Sequence, residues 1–302
     1  MLIRDYKNVR QSVIKFKIIL ALSILLLFIP SFMCADTPVL RGYYADIPSH
    51  NKSLLPALLQ NTSDFISRAM PSFKIFVIFT PILFLYTWFS LWFASFFKVK
   101  RNLKTAYTRK IFHVMIFLMA GILQIFIGLS GVVLFGIIVV FFVLFAVYKG
   151  NGFPFYEALA RPKDKPRRSV FIVVPLLTTA LGGVLANVFF FPFAFIGYFV
   201  CGCGDAVGEP VGAKWGKHEY KIPSAFGVKV TRSIEGSIGV LIVGFLAAFF
   251  ALLFSSYGLW TSLYVGFACG LGGALVEAIS THGFDNLTIQ VIVSGIAYLL
   301  LR

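Results

Sequence analysis

The chain has 302 residues, 59% hydrophobic and only 13% charged, with a formal net charge of +15. A water-soluble domain carries about 25% charged residues, so the composition excludes an ordinary soluble enzyme and points to the bilayer. Aromatic and basic residues are not interleaved along a polar surface, so the positive charge marks basic loops on one side of a membrane, not a nucleic-acid partner.

About 20 apolar residues cross a bilayer as helix. Roughly nine runs reach or approach that length, at 13–33, 71–97, 111–128, 131–148, 169–186, 188–203, 234–254, 259–279 and 286–301. The expected fold is all-α: a polytopic integral membrane protein with about nine transmembrane helices. The first run follows the basic stretch "RDYKNVRQSVIKFK". It reads either as a signal anchor or as a signal peptide cleaved near "MCADTP". Residues 34–70 come next, poor in basic residues, with N-x-S sequons at Asn51 and Asn61.

With the N-terminus in the cytosol, four segments share the cytosolic side: "KVKRNLKTAYTRK" (98–110), "KGNGFPFYEALARPKDKPRR" (149–168), 204–233 and "STHGFDN" (280–286). The first three are basic, and the connections near 129, 187 and 255 are short and nearly uncharged, so the positive-inside alternation holds along the chain. The four cysteines, Cys34, Cys201, Cys203 and Cys269, lie in or beside apolar runs and offer no second pair for a zinc site.

Acidic residues number 12, and half of them fall between 205 and 285. Asp205 closes the sixth run, Glu235 opens the seventh, Glu277 closes the eighth and Asp285 precedes the ninth, so all four reach the same cytosolic boundary. Carboxylates at that depth are costly unless paired or metal-bound, which makes each a site candidate. Between them, Gly204, Gly208, Gly212 and Gly216 recur every fourth residue in "GDAVGEPVGAKWG". That spacing lines one helix face and permits close approach of a backbone or a ligand; plain helix packing produces the same spacing. Lys214, Lys217, His218, Lys221, Lys229 and Arg232 follow, and "TRSIEGS" reads as a helix start with polar first-turn residues. Amides and cations grouped near carboxylates describe a phosphate site with a divalent metal, because Mg²⁺ takes one or two carboxylates plus phosphate oxygens.

Four pieces of this chain, in order and on one expected side, resemble the CTP-dependent lipid kinases: "RKIFHV" (109–114), "GDAVGEPVGAKWGKHEYKIP", "KVTRSIEGSIG" and "VEAISTHGFDNLTIQ". That family comprises dolichol kinase, phytol/polyprenol kinase and fungal-type diacylglycerol kinase, relatives of phosphatidate cytidylyltransferase. The resemblance covers about 105–302 and implies a membrane-embedded catalytic domain there. Residues 1–104 are then an N-terminal extension with two spans and an extracytosolic segment.

It implies that Asp205, Gly208, Gly212, Gly216 and Lys217 belong to a nucleotide-handling segment, and Lys229, Arg232, Glu235 and Gly236 to a second phosphate segment. Glu277, Asp285 and Asn286 match the acidic pair and the "DNL" end of the third. Arg109, Lys110 and His113 fit the opening motif, with Arg109 placed to meet a lipid or nucleotide phosphate; His282 is the stronger histidine. Arg232 stands where many relatives have Lys and Gln290 where Pro is usual, which leaves the branch open.

The expected activity is transfer of the γ-phosphoryl group of CTP, with Mg²⁺, to the hydroxyl of a membrane lipid alcohol, an isoprenoid alcohol first and diacylglycerol next. Asp205 and Asp285 are the leading metal ligands, with Glu277 a third ligand or the base. The site would face the cytosol, in the endoplasmic reticulum of a eukaryote or otherwise the plasma membrane. A cytidylyltransferase is the rival enzyme, but its Asp-Arg-x-Asp ending is absent. An ion-coupled transporter would show mid-membrane charges and an internal repeat, and the sequence has neither.

Overall fold

The structure is a computed structural model that describes residues 54–222, 230–281 and 283–302. The first apolar run, the sequon at Asn51, Lys229 and His282 lie outside the described residues.

Helix α1 (Leu54–Ala69) precedes α2 (Phe73–Lys100), whose start is capped by Ser72 accepting from the amide of Ile75. Then come α3 (Thr105–Phe126), α4 (Leu129–Lys149), the short α5 (Pro154–Leu159) and α6 (Val170–Phe190). Helix α7 (Ala194–Phe199) runs through a π-helical turn, Val200–Gly204, into α8 (Asp205–Trp215). Strands β1 (Glu219–Ile222) and β2 (Val230–Ser233) lead to α9 (Ile234–Phe254), α10 (Leu259–Ile279) and α11 (Asp285–Leu301).

Six of these helices, α2, α3, α4, α6, α9 and α10, are long and apolar enough to cross a membrane, and α11 is a shorter apolar helix. They fall on six of the nine expected runs, and they carry large apolar side chains on their outer faces, among them Phe76, Trp88, Phe141, Phe250 and Trp260. So extensive an exposed apolar surface, with backbone bonds closed inside each helix, is consistent with a membrane protein. Hydroxyls within α2 satisfy themselves along the helix: Thr87, Ser90 and Ser95 donate to the carbonyls of Leu83, Tyr86 and Leu91 at 2.7–2.8 Å.

Two points are refined here. Within the cytosolic segment 204–233, residues 205–215 are helical, as the glycine spacing allowed, because the coil that starts at Ala194 continues to Trp215. Glycine costs about 1 kcal/mol in a helix interior, and packing against α9 offsets it. A Cβ on Gly208 would meet Val240 Cγ2 at 2.8 Å, and one on Gly236 would meet the Gly208 carbonyl oxygen at 2.8 Å. The fold is also not wholly helical. β1 and β2 form an antiparallel hairpin that pairs Tyr220 with Arg232 and Glu219 with Ser233.

Two apolar clusters make up the core. One is built on α2–α5 around Leu83, Phe135 and Phe142; the other joins α7, the π turn, α9, α10 and α11 around Phe195, Val200 and Ile289.

Candidate active site

A cavity of about 420 Å³ draws its walls from both clusters, a volume within the range of small-molecule sites. One wall is apolar, supplied by α3, α4 and α6 through residues such as Phe112, Val139, Val143, Ile172 and Leu176. The other is polar and gathers the chemistry-bearing side chains of all four motifs.

Each motif reaches this wall by its own local route. Arg109, Lys110 and His113 stand within the first three turns of α3. The coil through the π turn brings Asp205 to the start of α8. The hairpin aims Arg232, and Ser233 then caps α9 by accepting from the Gly236 amide at 3.1 Å. Gly283 takes φ +90° in the turn that sets Asp285 and Asn286 at the head of α11, a conformation that only glycine adopts cheaply.

The contacts are charge-assisted. Lys110 Nζ donates to Asp205 Oδ2 at 2.7 Å and to the Asp205 carbonyl at 3.0 Å. His113 Nε2 lies 3.2 Å from the Cys201 carbonyl and 3.4 Å from Asp205 Oδ2. Arg232 spans two carboxylates, with Nε 3.1 Å from Glu277 Oε1 and Nη2 3.3 Å from Asp285 Oδ2. Asn286 Nδ2 donates to Thr179 Oγ1 at 2.8 Å, tying α11 to α6. Gln290 strengthens that tie by donating to the carbonyls of Asn286 and Thr179.

Two guanidinium nitrogens in the cavity wall are left over. Arg109 Nη1 and Arg232 Nη1 are buried and have no hydrogen-bond partner, and both residues line the cavity. A buried donor without an acceptor is costly and rare, and it calls for a group that accepts.

The donor chemistry can be tested against Mg²⁺. Among the described residues, no three His, Cys, Asp or Glu side chains lie together as a metal-holding group. Asp205 and Asp285 nevertheless face one cavity and feel each other's charge. Magnesium needs only one or two carboxylates when phosphate oxygens complete its shell. The set therefore fits a metal that arrives with phosphates and does not form an all-protein cage.

Of the residues singled out from sequence, Arg109, Lys110, His113, Asp205, Gly208, Gly212, Arg232, Gly236, Glu277, Asp285 and Asn286 line the cavity. Glu235 does not: it pairs with His218 Nδ1 at 2.8 Å, outside the cavity. Gly216 ends α8 against Ser233, and Lys217 is exposed beyond it. Sequence reasoning did not name Arg161, Thr179, Glu209 or Glu219 as site residues, yet each lines the cavity. Glu209 carried a signal, since it follows Asp205 by one helical turn.

Comparison with curated proteins finds a phytol kinase of Synechocystis sp., 33% identical over 100 residues. The matched stretch is 32% of this chain and 40% of that protein, so less than half of the relative's length is spanned. No family model and no solved structure matches. The chain is thus similar, over part of its length, to a kinase of the phytol type.

Proposed function

We propose that the chain is an integral membrane kinase that moves the γ-phosphoryl group of CTP onto the hydroxyl of a lipid alcohol, an isoprenoid alcohol first, at a site facing the cytosol. The observation that carries this reading is one cavity with an apolar wall and a polar wall where carboxylates and cations meet and two guanidinium nitrogens stay unpartnered. An amphipathic alcohol needs the first wall and a phosphoryl group needs the second. Similarity to a phytol kinase supports the same reading.

In this reaction the bond between the γ-phosphorus and the bridging oxygen breaks, and a bond from that phosphorus to the lipid oxygen forms. The hydroxyl proton must leave, and CDP is released. Phosphoryl transfer asks little covalent chemistry of the protein; positioning and neutralisation of phosphate charge carry most of it. Arg109 and Arg232 offer the free guanidinium donors. Glu277, with Oε1 engaged by Arg232, keeps its other oxygen to take the hydroxyl proton. Asp205 and Asp285 are the residues that would hold Mg²⁺, which neutralises phosphate oxygens when bound. The tail lies along α3, α4 and α6, so the alcohol enters from the bilayer side.

Purified protein incubated with lipid alcohol and γ-³²P-CTP should label the lipid fraction, and α-³²P-CTP should not. Lipid labelled from the α position would replace this reading with CDP-lipid synthesis. The same assay with γ-³²P-ATP decides the donor.

A further inference from the structure

The connection between α4 and α6 holds no residue of the four motifs, yet it delivers a third guanidinium to the cavity, beside those of Arg109 and Arg232. α5 is pinned to the first turn of α3: Thr108 Oγ1 donates to the Ala158 carbonyl at 2.7 Å, and Thr105 Oγ1 to the Glu157 carbonyl at 3.4 Å. Behind it, Arg168 Nη2 donates at 2.7 Å both to the Ala160 carbonyl and to Glu157 Oε2. Arg161 comes next in the chain, is only 5% exposed, and lines the cavity. Asp164 Oδ2 holds its Nε at 2.9 Å.

Arg109 follows Thr108 on α3, so the Thr108–Ala158 bond brings the two arginines to the same wall. Their charges repel. Arg109 makes no hydrogen bond or ion pair among the described residues, and its Nη1 is buried. Lys110 and Arg232, by contrast, are already engaged by Asp205, Glu277 and Asp285. Like charges fixed in a poorly solvated wall are stabilised by an anion between them.

We propose that Arg109 and Arg161 form a clamp for a phosphoryl oxyanion, a subsite apart from the carboxylate cluster. The proposal rests on reading the cavity as a phosphoryl-transfer site, and it adds Arg161 and the α5 connection to that site. A phosphoryl group presents several oxygens in a tetrahedral array, so two planar guanidinium forks can grip it together. The same chemistry is offered by the terminal phosphate of the nucleotide and by the monoester of a phosphorylated lipid.

The test is direct binding by the full chain in phosphatidylcholine nanodiscs, with CTP and phytyl monophosphate as separate probes. Arg161→Gln alone would strand buried Asp164, so the main variant combines Arg161→Gln with Asp164→Asn. It is expected to weaken CTP, the monophosphate or both by about tenfold, the loss of one charge-assisted contact. Arg109→Gln should weaken the same probe. Loss on CTP assigns the clamp to the nucleotide, and loss on the monophosphate assigns it to the lipid product.

Arg161→Lys keeps a partner for Asp164 and loses the fork, so it should weaken the same probe by less. Unaltered binding in both Arg161 variants, losses on different probes for Arg109 and Arg161, or a wild-type protein that binds neither probe would each overturn the clamp. Transfer from γ-³²P-CTP on the same preparations separates the two claims. Transfer by wild type with unaltered binding in the variants sinks the clamp alone. Clamp-type losses without any transfer by wild type sink the kinase reading alone.

Discussion

The α4–α6 connection and the cavity wall both bury arginines beside carboxylates, and they settle them in opposite ways. In the connection Arg168 makes four hydrogen bonds, to Asn151, Glu157 and Ala160, and only its Nε is left without a partner. Its planar face also lies 5.1 Å from the Tyr156 ring. In the cavity Asp205, Glu277 and Asp285 share Lys110 and Arg232, while Arg109 has no hydrogen bond or ion pair among the described residues. Polar groups that complete one another brace a fold; polar groups left short beside open space leave work for a ligand. The difference separates scaffold from site without reference to any relative.

The largest effect should come from emptying the cavity wall of charge. Asp205→Asn and Asp285→Asn are each expected to lower lipid phosphorylation by about a hundredfold, roughly 2.7 kcal/mol of transition-state stabilisation. Unfolding should stay cooperative, because an amide fills nearly the same space. Initial rates with γ-³²P-CTP measure it, and a loss under about tenfold would remove that residue from the site.

A middle effect belongs to the glycine contact between α8 and α9. Gly236→Ala should cost about 1–3 kcal/mol of stability, since its new methyl meets a backbone oxygen that cannot swing aside. Gly239→Ala on the same helix meets only Val211, at 3.3 Å or more, and should cost less. Thermal unfolding in detergent compares them. Equal losses would show that the two helices are not held at the separation described.

The smallest effect concerns the brace. Its Arg168 guanidinium hydrogen-bonds Glu157 and holds that carboxyl below its ordinary value of 4.5. A carboxylate with a depressed folded value stabilises above its unfolded value and loses that contribution as pH falls through the folded one. Glu157→Gln should therefore lower the melting temperature by a degree or two near neutral pH, about the effect of a partly exposed ion pair. The gap should close as pH falls through the folded value of that carboxyl, below 4.5. A gap that persists in acid would mean that packing, and not charge, holds the connection.

Much of the polar wall was legible in the sequence because acids and arginines are conspicuous in so apolar a chain. Asp205, Glu277 and Asp285 stand at the ends of three apolar runs, and the ends of runs on one side of a bilayer must lie at one depth. What depth cannot give is azimuth. Glu235 begins α9 at the same level, yet it faces His218, away from the cavity. Strands of four residues leave too little alternation to be read, so the hairpin that aims Arg232 was missed. The α5 connection was hidden for another reason: its arginines obey the positive-inside bias, which explains a basic loop without asking what each guanidinium touches. The glycine-rich helix α8 was legible only as a face of recurring glycines; what that face packs on, the α9 surface at Val240 and Gly236, was not.

The π turn at Val200–Gly204 has a consequence for how the site tolerates change. A helix is a screw, and removing one residue turns everything beyond the gap by roughly 100°. The widened coil lies between the core-facing Phe195–Tyr198 stretch and Asp205, so it sets the phase of one against the other. Substitutions within 200–204 that keep the residue count preserve that phase, whereas a single deletion there would swing Asp205 off Lys110 even with every named side chain still in the chain. The position of this carboxylate is thus encoded by counting as much as by chemistry.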